Sequence, residues 1–231
     1  YYFFMTKNQP IWWDEGEYLS TAKLWAYHLP YSIGPQRQPL MPLMLAFLYK
    51  IGINSEPVLK FFTTTIPSVL SVAMIYLFVK EMYDKKTALI SSFLLSVFWV
   101  HLFWTNRFST DILGFIFTLL AFYALWKFNN TQSWKWPLVM GLALGAGFLT
   151  RIGGMLPVFA IVIFLLITER QKLFLKKEWL ASGALAFAAI LPYLIWNKLY
   201  HGIFFAFFPG YSSENITQSK LSSPIAWWVV G

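Results

Sequence analysis

The constraint that dominates this chain is a succession of apolar runs, most of them close to the length of a bilayer crossing. They fall at about 58–79, 87–105, 110–127, 137–150, 153–168 and 179–197. Roughly 20 consecutive apolar residues cross the hydrocarbon core of a membrane as a helix. In that medium every backbone N–H and C=O must be satisfied inside the segment, which leaves helices or closed barrels. A run of this length and frequency excludes a soluble fold and predicts an all-α, polytopic transmembrane bundle. Charged residues make up 12% of the 231 positions and aromatic residues 20%, against roughly 25% charged in an ordinary soluble domain. The 12 Trp and 12 Tyr suit side chains that settle among lipid headgroups. Cysteine is absent, so no disulfide framework, zinc-thiolate site or thiol nucleophile is available.

The charges sit between the runs. The connectors KEMYDKK (80–86), KFNNTQSWKW (127–136) and ERQKLFLKKEW (169–179) are basic and alternate with the rest. The net charge of +8 therefore reads as orientation signal and headgroup contact rather than as a nucleic-acid surface. By the positive-inside rule those three connectors face the cytoplasm. The opposite set, 1–57, 105–111, 150–153 and 198–223, faces outward. This holds only if 39–53 does not cross. That stretch, PLMPLMLAFLYKIGI, is 15 residues long, short of a span, and is expected to lie at the interface or re-enter. The segment EYLSTAKLWAYHL before it has apolar residues near helical spacing and suits a helix on the membrane surface. One domain is expected over 1–231. Residues 1–11 would end a first helix, 12–56 form an outer loop with interfacial helices, 57–197 give six spans, and 198–231 form an outer loop and the start of another span. The abrupt YYFFM opening and IAWWVVG end suggest a fragment.

The outward set gathers the chemistry. WWDEGEY places Asp14, Glu15 and Glu17 within four positions, in a chain with 10 acidic residues in all. Acidic groups beside a bilayer are costly. A carboxylate here can take a proton from an acceptor hydroxyl as a new bond forms; equally, the stretch can be a solvated acidic turn anchored by interfacial Trp. Asp111, in TNRFSTDILGF, lies at the mouth of two spans. Arg107 stands four residues earlier and could pair with it on a helix, and Ser109 or Thr110 could cap that helix. Alternatively, Asp111 orients an acceptor or sugar while Arg107 meets a phosphate. Arg151 interrupts two apolar runs in FLTRIGGMLP, a costly position. An arginine there can bind a lipid-linked phosphate bidentately or anchor to headgroups. His201, Tyr211 and Glu214 could line a site from the far side, with a purely interfacial His201 as the plainer reading. Gly141, Gly145 and Gly147 have the spacing of close helix packing. No Walker-type phosphate loop, HExxH or serine nucleophile elbow is present.

Taken in order, these stretches resemble the C-type (GT-C) glycosyltransferases, in particular the protein O-mannosyltransferase and lipid A aminoarabinose transferase group. WWDEGEYLSTAKLW is similar to the D-E-x-x-Y-like motif of the family's first outer loop. GPQRQPLMPLMLAFLYKIG resembles its basic residue and prolines opening a short apolar helix, with Arg37 as the basic residue. NRFSTDILGF resembles the second outer-loop motif, although Thr110 stands where many relatives have proline. FLTRIGG resembles a Leu-Thr-Lys-Gly-like turn with Arg151 in place of Lys, and LPYLIWNKLYHG also has a family counterpart. The resemblance implies a sugar carried on polyprenyl phosphate and an inverting displacement at the extracytoplasmic face. The acceptor would be a protein, lipid or glycan. It implies Asp14 as general base, Glu15 supporting it or binding acceptor, and Asp111 positioning acceptor or sugar. Arg37, Arg107 and Arg151 would serve the donor phosphate. No cofactor is expected, with Asp14 and Asp111 as ligands if a divalent cation such as Mg or Mn is used. Membrane lipids are expected partners and nucleic acid is not. The plasma membrane of a prokaryote is expected ahead of the endoplasmic reticulum. A transporter or lipid flippase, or a non-catalytic membrane subunit, remain the alternatives.

Overall fold

The computed structural model describes residues 11–29, 37–169 and 176–205, and within them the chain is helical with no strand. Two short helices come first, α1 (Trp13–Tyr27) and α2 (Leu40–Lys50). A long apolar helix, α3 (Glu56–Met82), follows and contains one wide π-helical turn over Phe61–Thr65. Then come α4 (Lys85–Val97) and α5 (Trp99–Thr105), bent by 58° relative to each other. The remainder is α6 (Thr110–Thr131), α7 (Lys135–Thr150), a single 3-10 turn (Ile152–Met155), α8 (Leu156–Glu169) and α9 (Lys177–His201).

By length and apolar character α3, α6 and α9 can each cross a membrane, and the bent pair α4–α5 makes a fourth crossing if counted as one. The chain is thus an integral membrane protein. The fourth and fifth expected spans are α7 and α8, at 16 and 14 residues, below the roughly 20 needed for a straight crossing. Large apolar side chains on α4 and α8, among them Leu89, Phe93, Phe159 and Ile163, face outward. That is the arrangement hydrocarbon favours, since lipid offers them the same environment as a core.

The bundle packs through small residues. A Cβ on Gly141 would come within 2.3 Å of the Ser182 carbonyl oxygen, and one on Gly145 within 2.8 Å of the Ala189 side chain. Hydrogen at those positions is what lets α7 touch the α9 backbone. A buried cluster of Ala121, Ala124, Phe128, Met140, Ala143, Ile161 and Trp179 then joins α6, α7, α8 and α9.

Residues 39–53 hold no helix long enough for a straight crossing. The helix α2 spans 11 residues, and its buried face of Met41, Leu45, Leu48 and Tyr49 packs with Tyr18, Leu19 and Ala22 of α1. The same cluster contains Leu59, Phe108 and Leu113. The α1–α2 pair therefore sits over the N-terminal ends of α3 and α6. This brings the Asp14 stretch beside the 105–111 loop.

Candidate active site

Two helix starts and one helix end frame the site. The first is α1, where Asp14 and Glu15 lie in the opening turn. Trp12 is extended, and Glu15 reaches back so that its Oε2 accepts the Trp12 backbone N–H at 2.7 Å. This is half of a capping box. The second is α6: Ser109 Oγ accepts the Asp111 N–H at 3.1 Å, capping the helix as the sequence allowed. Asp111 then sits in the first turn, where the helix dipole favours a negative charge. The end is that of α7, which stops at Thr150 and leads through Arg151 into the glycine turn. A Cβ on Gly154 would lie 2.1 Å from the Gly147 carbonyl oxygen, so the turn folds directly onto the backbone of α7. Arg151 passes over Gly114, where a Cβ would meet its Cδ at 3.2 Å.

These three pieces enclose a cavity of about 220 Å³ lined by Asp14, Glu15, Tyr18, Arg37, Gln38, Arg107, Asp111 and Arg151, with Trp12 and Phe108 among the aromatic walls. Its ion pairs join distant parts of the chain. Arg37 binds Asp14 through Nη2 and Glu17 through Nε, the latter at 2.5 Å. Arg151 binds Asp111 through Nη1. Arg107 faces Glu15 at 3.6 Å and lies over the Trp12 ring, 3.8 Å from its centroid. The Tyr18 phenol is pushed above its ordinary value, mainly by burial and further by the charges of Asp14 and Asp111. A hydrogen bond with Thr110 and the charge of Arg37 oppose this.

The carboxylates differ sharply in access. The Asp14 side chain is 62% exposed, whereas that of Glu15 is 4% exposed. Both oxygens of Glu15 are engaged, since Oε1 accepts the Phe108 backbone N–H at 2.9 Å. Glu15 therefore ties the first loop to the second and is not placed to receive an acceptor. Arg107 does not pair with Asp111. Helix α6 starts at Thr110, so Arg107 lies outside it and the i, i+4 spacing does not apply. Buried against Glu15 and Trp12, Arg107 braces the wall. Arg151, 45% exposed, is the accessible guanidinium.

His201 is not among the lining residues. It ends α9, wholly buried, edge-on to Trp196 and Tyr200. Tyr211 and Glu214 lie outside the described residues. Tyr18, Gln38, Ser109 and Thr110 line the cavity without having been singled out as binding groups. The tyrosine of the D-E-x-x-Y-like stretch was the available signal for the first of them. Among the described residues no three His, Asp or Glu side chains cluster as metal ligands. The two accessible carboxylates each carry an arginine partner. This donor set does not fit a built divalent-cation site.

Comparisons with known proteins bear on the family and the fold. The family model described as dolichyl-phosphate-mannose-protein mannosyltransferase matches residues 35–196, which takes in Arg37, Arg107, Asp111 and Arg151 but begins after Asp14. No curated protein matches the chain. Among solved structures, the chain is similar to the crystal structure of ArnT from Cupriavidus metallidurans in the apo state. The TM-score is 0.73 at 13% identity, over 99% of this chain and 47% of that one. The fold is thus the GT-C fold, and the chain spans about half the length of that structure.

Proposed function

Because the chain belongs to the dolichyl-phosphate-mannose-protein mannosyltransferase family, we propose that it builds the active site of a membrane glycosyltransferase. The donor is a sugar on polyprenyl phosphate, the acceptor is a hydroxyl or amine of a protein, lipid or glycan, and the cavity opens on the extracytoplasmic side. In the reaction the acceptor atom bonds to the anomeric carbon from the face opposite the phosphate. The anomeric C–O bond to phosphate breaks, its electron pair stays on the phosphate oxygen, and the acceptor proton passes to Asp14. Configuration inverts.

The observation that carries this reading is the contrast in access among carboxylates sharing one cavity. Asp14 is open to an acceptor yet held by Arg37, while Glu15 is closed off. Asp111 and Arg151 form the facing edge. Arg151 can exchange its carboxylate for the leaving phosphate, stabilising the charge that develops there. The basic connectors 80–86 and 127–136, at the opposite end of the bundle, support this sidedness.

The test is transfer from polyprenyl-phosphate mannose by membranes carrying Asp14→Asn. General-base removal is expected to lower the rate about 100-fold or more with donor binding retained. Transfer at the wild-type rate would overturn the assignment of Asp14. Loss of donor binding without a rate effect at saturation would move Asp14 from the base role to the donor site.

A further inference from the structure

We propose that Lys60 supplies the net positive charge of this site from behind its wall, stabilising the phosphate as it leaves; this rests on the donor reading above. Lys60 is buried, at 1% exposure. It ends the first helical segment of α3, immediately before the π-helical turn Phe61–Thr65. Thr63 and Thr64 turn their hydroxyls back onto the carbonyls of Leu59 and Lys60, both at 2.8 Å, so the widened turn is internally satisfied. Such turns are often placed at functional sites.

Among the described residues the Lys60 ammonium has no carboxylate partner. Its Nζ lies over the Phe108 ring, 5.2 Å from the centroid. Phe108 lines the cavity, and its N–H is the one held by Glu15. A buried charge is retained at a cost in stability unless something compensates it, and a cation–π contact offsets only part of that cost. The cavity itself explains what the charge is for. Each of its arginines already faces a carboxylate: Arg37 meets Asp14 and Glu17, Arg107 meets Glu15, and Arg151 meets Asp111. The lining set is balanced or slightly acidic, an unfavourable host for an anionic donor. Lys60, one layer back from Phe108, restores a positive potential there.

The chemistry makes the effect selective. A polyprenyl-phosphate sugar is a phosphodiester carrying one negative charge. Breaking the anomeric C–O bond leaves a phosphomonoester that tends toward two. A fixed cation nearby interacts more strongly with the second state, and so with the transition state leading to it. Lys60 is thus a positioning charge rather than a catalytic residue, since it touches neither donor nor acceptor.

The experiment uses the full-length protein in detergent with two probes, a short-chain polyprenyl monophosphate and its methyl diester. Lys60→Met is expected to weaken the monophosphate about tenfold, as a cation roughly 10 Å away at intermediate dielectric predicts for its two negative charges, and to weaken the singly charged diester about threefold, as half that interaction predicts. Lys60→Arg is expected to keep both affinities. The unliganded Lys60→Met protein is expected to melt at or above the wild-type temperature, because an apolar side chain replaces a buried charge. Equal binding of both probes by Lys60→Met and wild type would overturn the proposal while leaving the donor reading intact. So would a parallel fall in melting temperature and in both affinities that Lys60→Arg fails to rescue, which would make Lys60 a packing residue. A wild-type protein that binds neither probe would remove the donor reading and this proposal with it.

Discussion

The two ends of the helical bundle handle charge in opposite ways. At the cavity end, carboxylates meet arginines, and the contacts join segments far apart in sequence. Glu15 reaches Phe108 and Arg107, Arg37 reaches back to Asp14 and Glu17, and Arg151 reaches Asp111. At the other end, the partners are mostly local, and among the described residues the ion-paired base is a lysine. Asp84 accepts the Lys86 and Thr87 N–H groups and caps α4. Among the described residues, Glu81 near the end of α3 accepts from Lys127 Nζ at 3.0 Å and from Tyr123 Oη at 2.9 Å, both on α6. Arginine presents a planar fork that matches carboxylate and phosphate, whereas lysine is a well-hydrated point charge. The cavity end is built to hold a fixed geometry, and the other end to sit in water and headgroups.

The difference can be broken from the cavity side first. Glu15→Ala removes the acceptor for two backbone N–H groups and the carboxylate that faces buried Arg107. We expect a loss of about 3–5 kcal/mol in unfolding free energy, read by denaturant titration in detergent. A loss under ~1 kcal/mol would mean that the pair is solvated. Gly154→Ala drives a Cβ into the Gly147 carbonyl oxygen and is expected to cost about 1–3 kcal/mol as overpacking. The same titration checks it, together with reduced transfer because Arg151 shifts. Ser109→Ala removes the cap of α6 and its 2.5 Å hydrogen bond to Asp111, for a loss of about 1 kcal/mol. Lys127→Ala at the opposite end is expected to leave both melting temperature and transfer unchanged, since exposed pairs are screened and entropically costly. A clear fall in either would erase the contrast between the ends.

Much of this architecture is legible in the chain itself. Apolar runs divided by basic connectors place the helices, with ends up to four residues off, because the bilayer limits their length and the connectors have nowhere else to lie. The shortness of 39–53 correctly keeps Asp14 and Asp111 at one end. What local sequence does not carry is the pairing. Arg107 and Asp111 stand at helical spacing, yet the helix begins between them. The true partner of Arg107 lies 92 positions away, chosen by how α1 packs on Phe108 and Leu113. The bend at Phe98 has no proline or glycine to announce it. Lys60 reads in sequence as an ordinary interfacial lysine at the start of a span. Only packing by Leu59, Phe108 and their neighbours makes it a buried charge.

The central claim is that Asp14 and Asp111 open into one cavity on one side of the membrane, opposite the basic connectors. The chain has no cysteine, so single cysteines can report this directly. Asp14→Cys, Asp111→Cys and, as the opposite-end reference, Lys85→Cys would be treated in sealed, right-side-out vesicles with a membrane-impermeant maleimide. The account predicts labelling of the first two from outside, and of the third only after permeabilisation. Labelling of Asp14→Cys and Asp111→Cys from opposite sides would mean that 40–50 crosses the bilayer, and the shared active site would not exist.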